Sequence, residues 1–214
     1  MPETLAGTGT LVRLGLRRDR WLLPVWVLGF AVVAYSTAVA GADLYPDVRS
    51  RIEAANALNA TASMVAMFGR IYDPASLGAL SLIKYTAFMT AILAVLMAIL
   101  IIRHTRADEE SGRLELLGGG RLGRDSALAA ALIIGFGASL AVGLLSAAAL
   151  AAGGLPATGS LAFGLGWAAT GMAFSAVAGV AAQLTASARA ATGLSVGVIA
   201  VTYGLRAVGD LAEP

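Results

Sequence analysis

Ionisable side chains are concentrated in one short stretch near the middle of the chain, from Arg103 to Arg124, between two strongly apolar segments. Arginines and acidic residues dominate it, and these residue types bind partners through charge-assisted hydrogen bonds. The stretch holds no catalytic set. The chain has no cysteine, which excludes thiolate nucleophiles and disulfides, and its single histidine, His104, is expected to contact lipid headgroups rather than act as a base or ligand. These residues therefore favour binding, and no metal or cofactor is expected.

The chain also lacks the residues needed to hydrolyse ATP. A Walker A loop requires Gly-x-x-x-x-Gly-Lys-Ser/Thr, whose glycine-rich backbone cradles the phosphates. The only lysine, Lys84, follows Leu82 and Ile83, with no glycine directly before it. No enzyme activity is expected, and an ATP-driven process would need a separate chain.

A short helix is predicted from Arg106 to Leu117. Thr105 and Asp108 match a capping box, in which the threonine accepts a backbone N–H and the acid reaches back. Gly118–Gly120 would stop the helix. Gly112 costs about 1 kcal/mol relative to alanine inside a helix, which favours a close approach of another chain there. Docking to a partner protein and an interfacial helix held by lipid headgroups are both compatible with this pattern.

The elements that must position this stretch are transmembrane helices. Of 214 residues, 58% are hydrophobic and 13% are charged, against about 25% charged in soluble domains. A helix needs about 20 apolar residues to cross roughly 30 Å of hydrocarbon. Five segments qualify within a transmembrane domain over 21–214, namely residues 21–40, 85–102, 127–152, 160–184 and 190–208. The predicted fold class is all-α, a polytopic helical membrane protein.

The arginines predict the orientation of these spans. Ten basic side chains lie before span one, between spans two and three, or between spans four and five, and five lie on the other side. Basic loops favour the cytoplasm, so the N-terminus is predicted to be cytoplasmic, in a bacterial inner membrane. Residues 1–20 mix four arginines with leucines and predict an amphipathic elbow helix on the inner leaflet, attracted by anionic lipid. A basic anchor without helical order is the alternative.

Residues 41–84 are predicted to lie outside, as a simple connection or a lid. Apolar residues at helical spacing between Val48 and Phe68 predict one amphipathic helix. Asp73, followed by Pro74, is predicted to cap the second span. Arg206 is predicted to pair with Asp210 at i+4. No ionisable side chain is well placed at mid-span depth, which argues against an ion-coupled path.

Small residues recur every four positions in the last three spans, where they would let helix backbones approach closely. Plain bundle packing is favoured over a sliding seam. The positions are Gly135, Ser139 and Gly143 in the third span, Gly171, Ser175 and Gly179 in the fourth, and Gly193 and Gly197 in the fifth.

The charged stretch resembles the first cytoplasmic loop of ABC-2-type transporter permeases, whose pattern is roughly E-x-x-x-G-x-x-E-x-L followed by a basic residue. The matching residues are Glu109 or Glu110, Gly112, Glu115, Leu116 and Leu117, then Arg121 and Arg124. The fuller form, HTRADEESGRLELL, resembles the polyketide or tetronasin antibiotic exporter subgroup of bacterial permeases. Two features depart from the family: Gly118–Gly120, where relatives often carry alanine and proline, and five spans instead of six. The second departure predicts a first half that is truncated or split before a sixth span.

In that family this segment is the coupling helix, which docks on the ATP-binding subunit. The resemblance implies the permease subunit of an ATP-driven exporter that moves a lipophilic or amphiphilic compound, such as an antibiotic, outward. The implied partners are an ABC ATP-binding subunit, a second permease half or copy and membrane lipid, with no nucleic acid. An ion-coupled secondary transporter and a non-transporting scaffold or immunity protein are the alternatives. The implied docking residues are Asp108, Glu109, Glu110, Gly112, Arg113, Leu114, Glu115, Leu116, Leu117, Arg121 and Arg124.

Overall fold

The computed structural model describes residues 4–112 and 122–212, and these are helical apart from short turns, with no strand among them. The all-α prediction is confirmed. In chain order the described helices are α1 (Thr8–Arg18), α2 (Leu22–Leu44), α3 (Val48–Asn59), α4 (Ala62–Phe68), α5 (Leu77–His104), α6 (Arg106–Glu110), α7 (Ser126–Ala152), α8 (Ala157–Leu184) and α9 (Ala188–Ala212).

Five of these helices, α2, α5, α7, α8 and α9, are long and apolar enough to cross a membrane. Each has 23 to 28 residues, and at 1.5 Å per residue even 23 residues extend about 35 Å. All five predicted spans are thus observed as helices. The helix α5 begins at Leu77, which is before the predicted apolar span at residue 85 and three residues after the start at Pro74 that the predicted cap implies.

The turn before α5 corrects the predicted helix cap. Asp73 does not cap the helix: its Oδ1 accepts from the N–H of Ala75 at 3.2 Å, inside the preceding turn. Ser76 caps α5 instead. Its Oγ accepts from the N–H of Ala79 at 3.3 Å, which is the hydrogen bond from an N-cap side chain to the N3 amide. The aspartate and proline therefore form the turn, and the helix starts afterwards.

The prediction of one continuous helix between Val48 and Phe68 is wrong. The structure has two helices there, α3 and α4, which are separated at Ala60 and Thr61. Asp47 caps α3 by accepting from the N–H of Ser50 at 2.8 Å. Val65 on α4 is buried, whereas Val48 at the start of α3 is exposed.

The chain forms two compact units, each built from several segments of sequence. Unit 1 contains Met1–Trp26, Leu93–Ala141 and Ala168–Ile199. Its core is a cluster of buried aliphatic side chains and small residues. The cluster consists of Ala98, Ile101, Ile102, Ala131, Ala178 and Ala191.

Within unit 1, α7 and α8 approach closely at two glycine–serine pairs. A Cβ at Gly171 would lie 2.5 Å from the Oγ of Ser139, and a Cβ at Gly135 would lie 3.0 Å from the Oγ of Ser175. Both serines are fully buried, and each donates to the carbonyl four residues earlier in its own helix. The hydroxyls are therefore satisfied without leaving the helix, and the glycines provide the space for them.

Unit 2 contains Val27–Ile92, Val142–Trp167 and Ala200–Pro214. Ala55, Ile71 and Leu80 form a small apolar core beneath α3. The helices α7 and α8 approach closely at Gly164, where a Cβ would be 2.3 Å from the carbonyl oxygen of Gly143. Because the obstructing atom belongs to the backbone, only glycine fits at position 164.

The other small residues of the predicted stripe differ in their surroundings. A Cβ at Gly179 would meet Leu128 at 3.3 Å, an approach between α8 and α7. Gly193 and Gly197 on α9 are exposed, and a Cβ there would meet nothing within 4 Å. The buried side of α9 carries Ala191, Ser195 and Ile199 instead.

Candidate functional site

The charged stretch begins with α6, a helix of five residues, Arg106–Glu110. The predicted helix over Arg106–Leu117 is interrupted, because Ser111 and Gly112 turn the chain and Gly112 adopts a left-handed φ of 69°. A Cβ at Gly112 would meet nothing within 4 Å, so its backbone conformation is what favours glycine. The predicted site residues Arg113, Leu114, Glu115, Leu116, Leu117 and Arg121 lie outside the described residues.

The predicted capping box at the start of α6 is wrong. Thr105 is at the N-cap position, but it makes no side-chain cap hydrogen bond. Its hydroxyl donates instead to the carbonyl of Ile101, at 2.7 Å, in the last turn of α5. The threonine is buried, so this bond satisfies it internally.

Asp108 connects α6 to α1. Both of its carboxylate oxygens accept from Nη1 of Arg18, at 2.9 and 2.7 Å. The aspartate side chain is 14% exposed, so it points into the protein rather than towards a docking partner. A pair with this much shielding is stronger than a fully solvated one.

Arg106 and Glu110 connect α6 to the end of α8 and the start of α9. Nε and Nη2 of Arg106 donate to the carbonyl of Ala182 at 3.1 and 2.8 Å. That carbonyl is in the last turn of α8, where a cation is favoured by the helix dipole. Glu110 accepts from the N–H of Ala188, the first residue of α9, at 2.9 Å. One short helix thus holds two helix ends.

Glu109 makes no described side-chain contact with another helix. Its side chain is 57% exposed, and its only described ion pair is with Arg106, at 2.7 Å and i−3. Arg124 is also exposed, with Nε 3.5 Å from Asp125. The acidic residues of α6, alike in the sequence, therefore divide into two that bind other helices, Asp108 and Glu110, and one, Glu109, whose described ion pair lies within α6.

A buried carboxylate, Asp19, lies at the end of α1. The side chain is 0% exposed. Nη2 of Arg103 lies 2.9 Å from its Oδ1, an ion pair by distance whose angle does not make a hydrogen bond. Nε2 of His104 lies 2.5 Å from its Oδ2 in a hydrogen bond.

This geometry corrects the interpretation of His104. Its side chain is only 8% exposed, so it is an internal partner of Asp19 and does not contact headgroups. Gly15 on α1 makes room for the ring, because a Cβ there would lie 3.2 Å from its Cε1 and 2.5 Å from Ile134. The imidazole therefore joins α1 to α5.

The buried role of Asp19 was not predicted from the sequence. One signal for it was present, because Asp19 is the one acid in the run Arg17-Arg18-Asp19-Arg20. Arg206 was only partly anticipated. Its predicted pair with Asp210 is confirmed at 3.0 Å. The sequence did not show that Arg206 also donates to the carbonyl of Ala66 at 2.7 Å, or that Tyr203 donates to that of Met67, which ties α9 to α4.

The described arrangement consists of hydrogen bonds and ion pairs between helices. Among the described residues, no group of histidine and acidic side chains could hold a metal ion. The hydrogen bonds of α6 instead reach α1, the end of α8 and the start of α9, while Asp19 joins α1 to α5.

The five long apolar helices define a multi-pass helical membrane protein. The chain is 45% identical, over 205 residues, to the multidrug efflux system permease protein Rv1217c of Mycobacterium tuberculosis. The match covers 95% of this chain and 37% of that protein, so the chain spans little more than a third of its relative's length. No family model matches the chain.

Proposed function

We propose that this chain is part of the membrane-spanning permease of an ATP-driven exporter, with a separate ABC ATPase docked at α6. The observation that carries the proposal is the position of α6, which is bonded to three other helices and leaves Glu109 exposed. The similarity to a protein named as a multidrug efflux permease supports the transport class. An exporter of this kind needs a place where movement of an ATPase reaches several spans at once.

In the proposed mechanism the ATPase binds the exposed side of α6 and the segment that follows it, which includes Gly112, Glu115 and Arg121. Asp108 and Arg106 transmit the displacement, because they fix α6 to α1 and to the end of α8. Ion pairs and hydrogen bonds of this type resist separation in a partly buried site. The spans then tilt together, and a lipophilic or amphiphilic cargo moves outward along apolar side chains.

The docking step is tested by reversing one exposed charge. Glu109→Lys, in the chain co-expressed with a candidate ABC ATPase that co-purifies with the wild type, is expected to reduce co-purification of the ATPase by at least tenfold. Glu53→Lys is the matched control, because Glu53 is also an exposed helical acid, 67% exposed, paired with an arginine one turn away. The control is expected to retain the ATPase. Equal recovery with both variants would remove α6 as the docking site.

The energy source is tested separately in vesicles that contain the permease and its ATPase. An ATPase that binds but cannot hydrolyse ATP is expected to abolish export of a lipophilic dye. Persistent export that collapses with the ion gradient would instead identify a secondary transporter. Unaltered binding of the ATPase with no export of any compound would favour a scaffold or immunity protein.

The proposed orientation, with α6 in the cytoplasm of a bacterial cell and the N-terminus on the same side, is tested by cysteine labelling. The chain has no cysteine, so single cysteines report without background. Ser111→Cys, next to α6, is expected to resist an impermeant maleimide in intact spheroplasts, and Asp43→Cys at the end of α2 is expected to react. The reverse pattern would place α6 outside and end the proposal.

A further inference from the structure

Unit 2 contains a cleft of about 900 Å³, at the upper end of the range for small-molecule sites. Its walls are the loop before α5, the first turns of α5, the turn between α7 and α8, and the first turns of α8, with one residue each from α3 and α4. All of these segments lie inside unit 2. The docking region around α6 belongs to unit 1, so the cleft is a separate feature.

The cleft has an apolar wall and a cationic edge. Leu82, Ile83 and Phe163 are among the apolar side chains that line it. Its ionisable lining residues are Arg51, Arg70 and Asp73, which leaves an excess of positive charge. This combination is complementary to a molecule with an apolar body and one negative charge.

Arg51 is the cation best placed to receive that charge. Its Nε donates to the carbonyl of Tyr45 at 3.0 Å, and its Nη2 donates to that of Pro46 at 3.3 Å. These bonds hold the guanidinium in position but do not neutralise it. No carboxylate of the described residues pairs with it, in contrast to Arg49 on the same helix, which pairs with Glu53 at 2.9 Å.

Phe163 connects the apolar wall to a buried aromatic cluster. Its ring centroid lies 4.9 Å from that of Trp167, and the Trp167 ring lies 5.0 Å from that of Tyr85. Trp167 is buried. A ligand against Phe163 is therefore separated from this indole by a single ring.

We propose that the cleft binds an anionic amphiphile, with the acidic headgroup at Arg51 and the apolar chain along Leu82, Ile83 and Phe163. A fatty-acid-like compound and an anionic phospholipid share this chemistry. Binding needs neither the ATPase nor transport, so the inference stands or falls independently of the proposed function.

The test uses Trp167 as the reporter in purified protein reconstituted in phosphatidylcholine nanodiscs. Trp21 and Trp26, the other two tryptophans, are replaced with phenylalanine. Titration with 9,10-dibromostearate is expected to quench Trp167 saturably, and unbrominated stearate is expected to relieve the quenching. Brominated phosphatidylglycerol in the disc forms a second arm, which distinguishes a lipid headgroup from a free amphiphile as the source of the anion.

Substitutions at Arg51 test whether its charge is responsible for binding the anionic amphiphile. Arg51→Gln retains a hydrogen-bond donor but loses the charge, and it is expected to weaken binding about tenfold, as for loss of a charge-assisted hydrogen bond. Arg51→Lys is expected to retain most of the affinity. Arg49→Gln, which changes an exposed arginine that is already paired, is expected to retain all of it. Arg51-dependent quenching by either anionic probe supports the proposal. Equal quenching in Arg51→Gln, or by brominated phosphatidylcholine, would overturn it.

Discussion

Replacing Asp19 with asparagine removes the charge at the junction of α1 and α5 without changing the side chain's size. The wild-type carboxylate is fully buried between Arg103 and His104. Asparagine fills the same space and keeps one acceptor oxygen, so neither a cavity nor the loss of every hydrogen bond contributes. The effect on stability therefore reports the charge itself.

The magnitude follows from the exposure of the two partners. Breaking a buried ion pair by removing one member costs about 3–5 kcal/mol, because the other charge is left unpaired. Arg103 is 33% exposed, so water can solvate part of its guanidinium, and the asparagine oxygen can still accept from His104. We expect Asp19→Asn to lower the free energy of unfolding by about 2–3 kcal/mol, at or below the bottom of that range.

The assay is equilibrium unfolding in mixed micelles with increasing dodecyl sulfate, followed by tryptophan fluorescence. Asp43→Asn is the control, since Asp43 is exposed and has no described ion pair, and it should stay within about 0.5 kcal/mol of the wild type. The double variant Asp19→Asn/Arg103→Met should recover part of the loss, because it removes the unpaired cation. An Asp19→Asn protein as stable as the Asp43 control would refute the assignment of a stabilising role to the buried charge.

Three further predictions concern packing and the helix ends. Gly164→Ala is expected to lower the free energy of unfolding by about 1–3 kcal/mol in the same assay, since its Cβ would meet backbone, whereas Gly137→Ala, which meets nothing within 4 Å, is expected to be neutral or stabilising by up to about 1 kcal/mol. Ser76→Ala is expected to cost about 1 kcal/mol through loss of the cap on α5. Arg206→Met is expected to accelerate hydrogen exchange of the α4 amides, measured by mass spectrometry, with Arg189→Met, an exposed cation at the start of α9, unchanged.

Each of these three predictions has an outcome that would contradict it. Equal stability of the two glycine variants would mean that α7 and α8 are not in contact at Gly164. A larger loss from Asp73→Ala than from Ser76→Ala would return the cap to the aspartate. Unchanged exchange in α4 with Arg206→Met would show that the guanidinium does not hold that helix.

The spans could be predicted because the membrane imposes a simple requirement on the sequence. Each must be apolar over about 20 residues, and a helix satisfies its own backbone hydrogen bonds in lipid. Gly and Pro near the ends did not disturb this signal. Helix ends were harder, because competing side chains such as Asp73 and Ser76 both suit a cap, and the choice between them depends on where the preceding turn places each oxygen.

The charged stretch shows where local patterns stop being sufficient. Thr105 and Asp108 have the types and spacing of a capping box, yet each has a better partner: Thr105 bonds back into α5, and Asp108 reaches Arg18, ninety residues earlier in the chain. A pattern of four residues contains no information about such distant competitors. The same limitation hid the pairing of His104 with Asp19.

By itself the sequence determined the helical class, the five apolar spans and the concentration of charge around α6, since these depend on composition and on residues near each other in the chain. Only the tertiary structure decided which acids of α6 bind other helices and which one does not, which glycines are close approaches and which are open, and where Arg51 retains an unpaired charge. These properties depend on the distance between atoms from separate segments. Burial strengthens or weakens the electrostatic interactions of each charged side chain, according to neighbours that the local sequence does not specify.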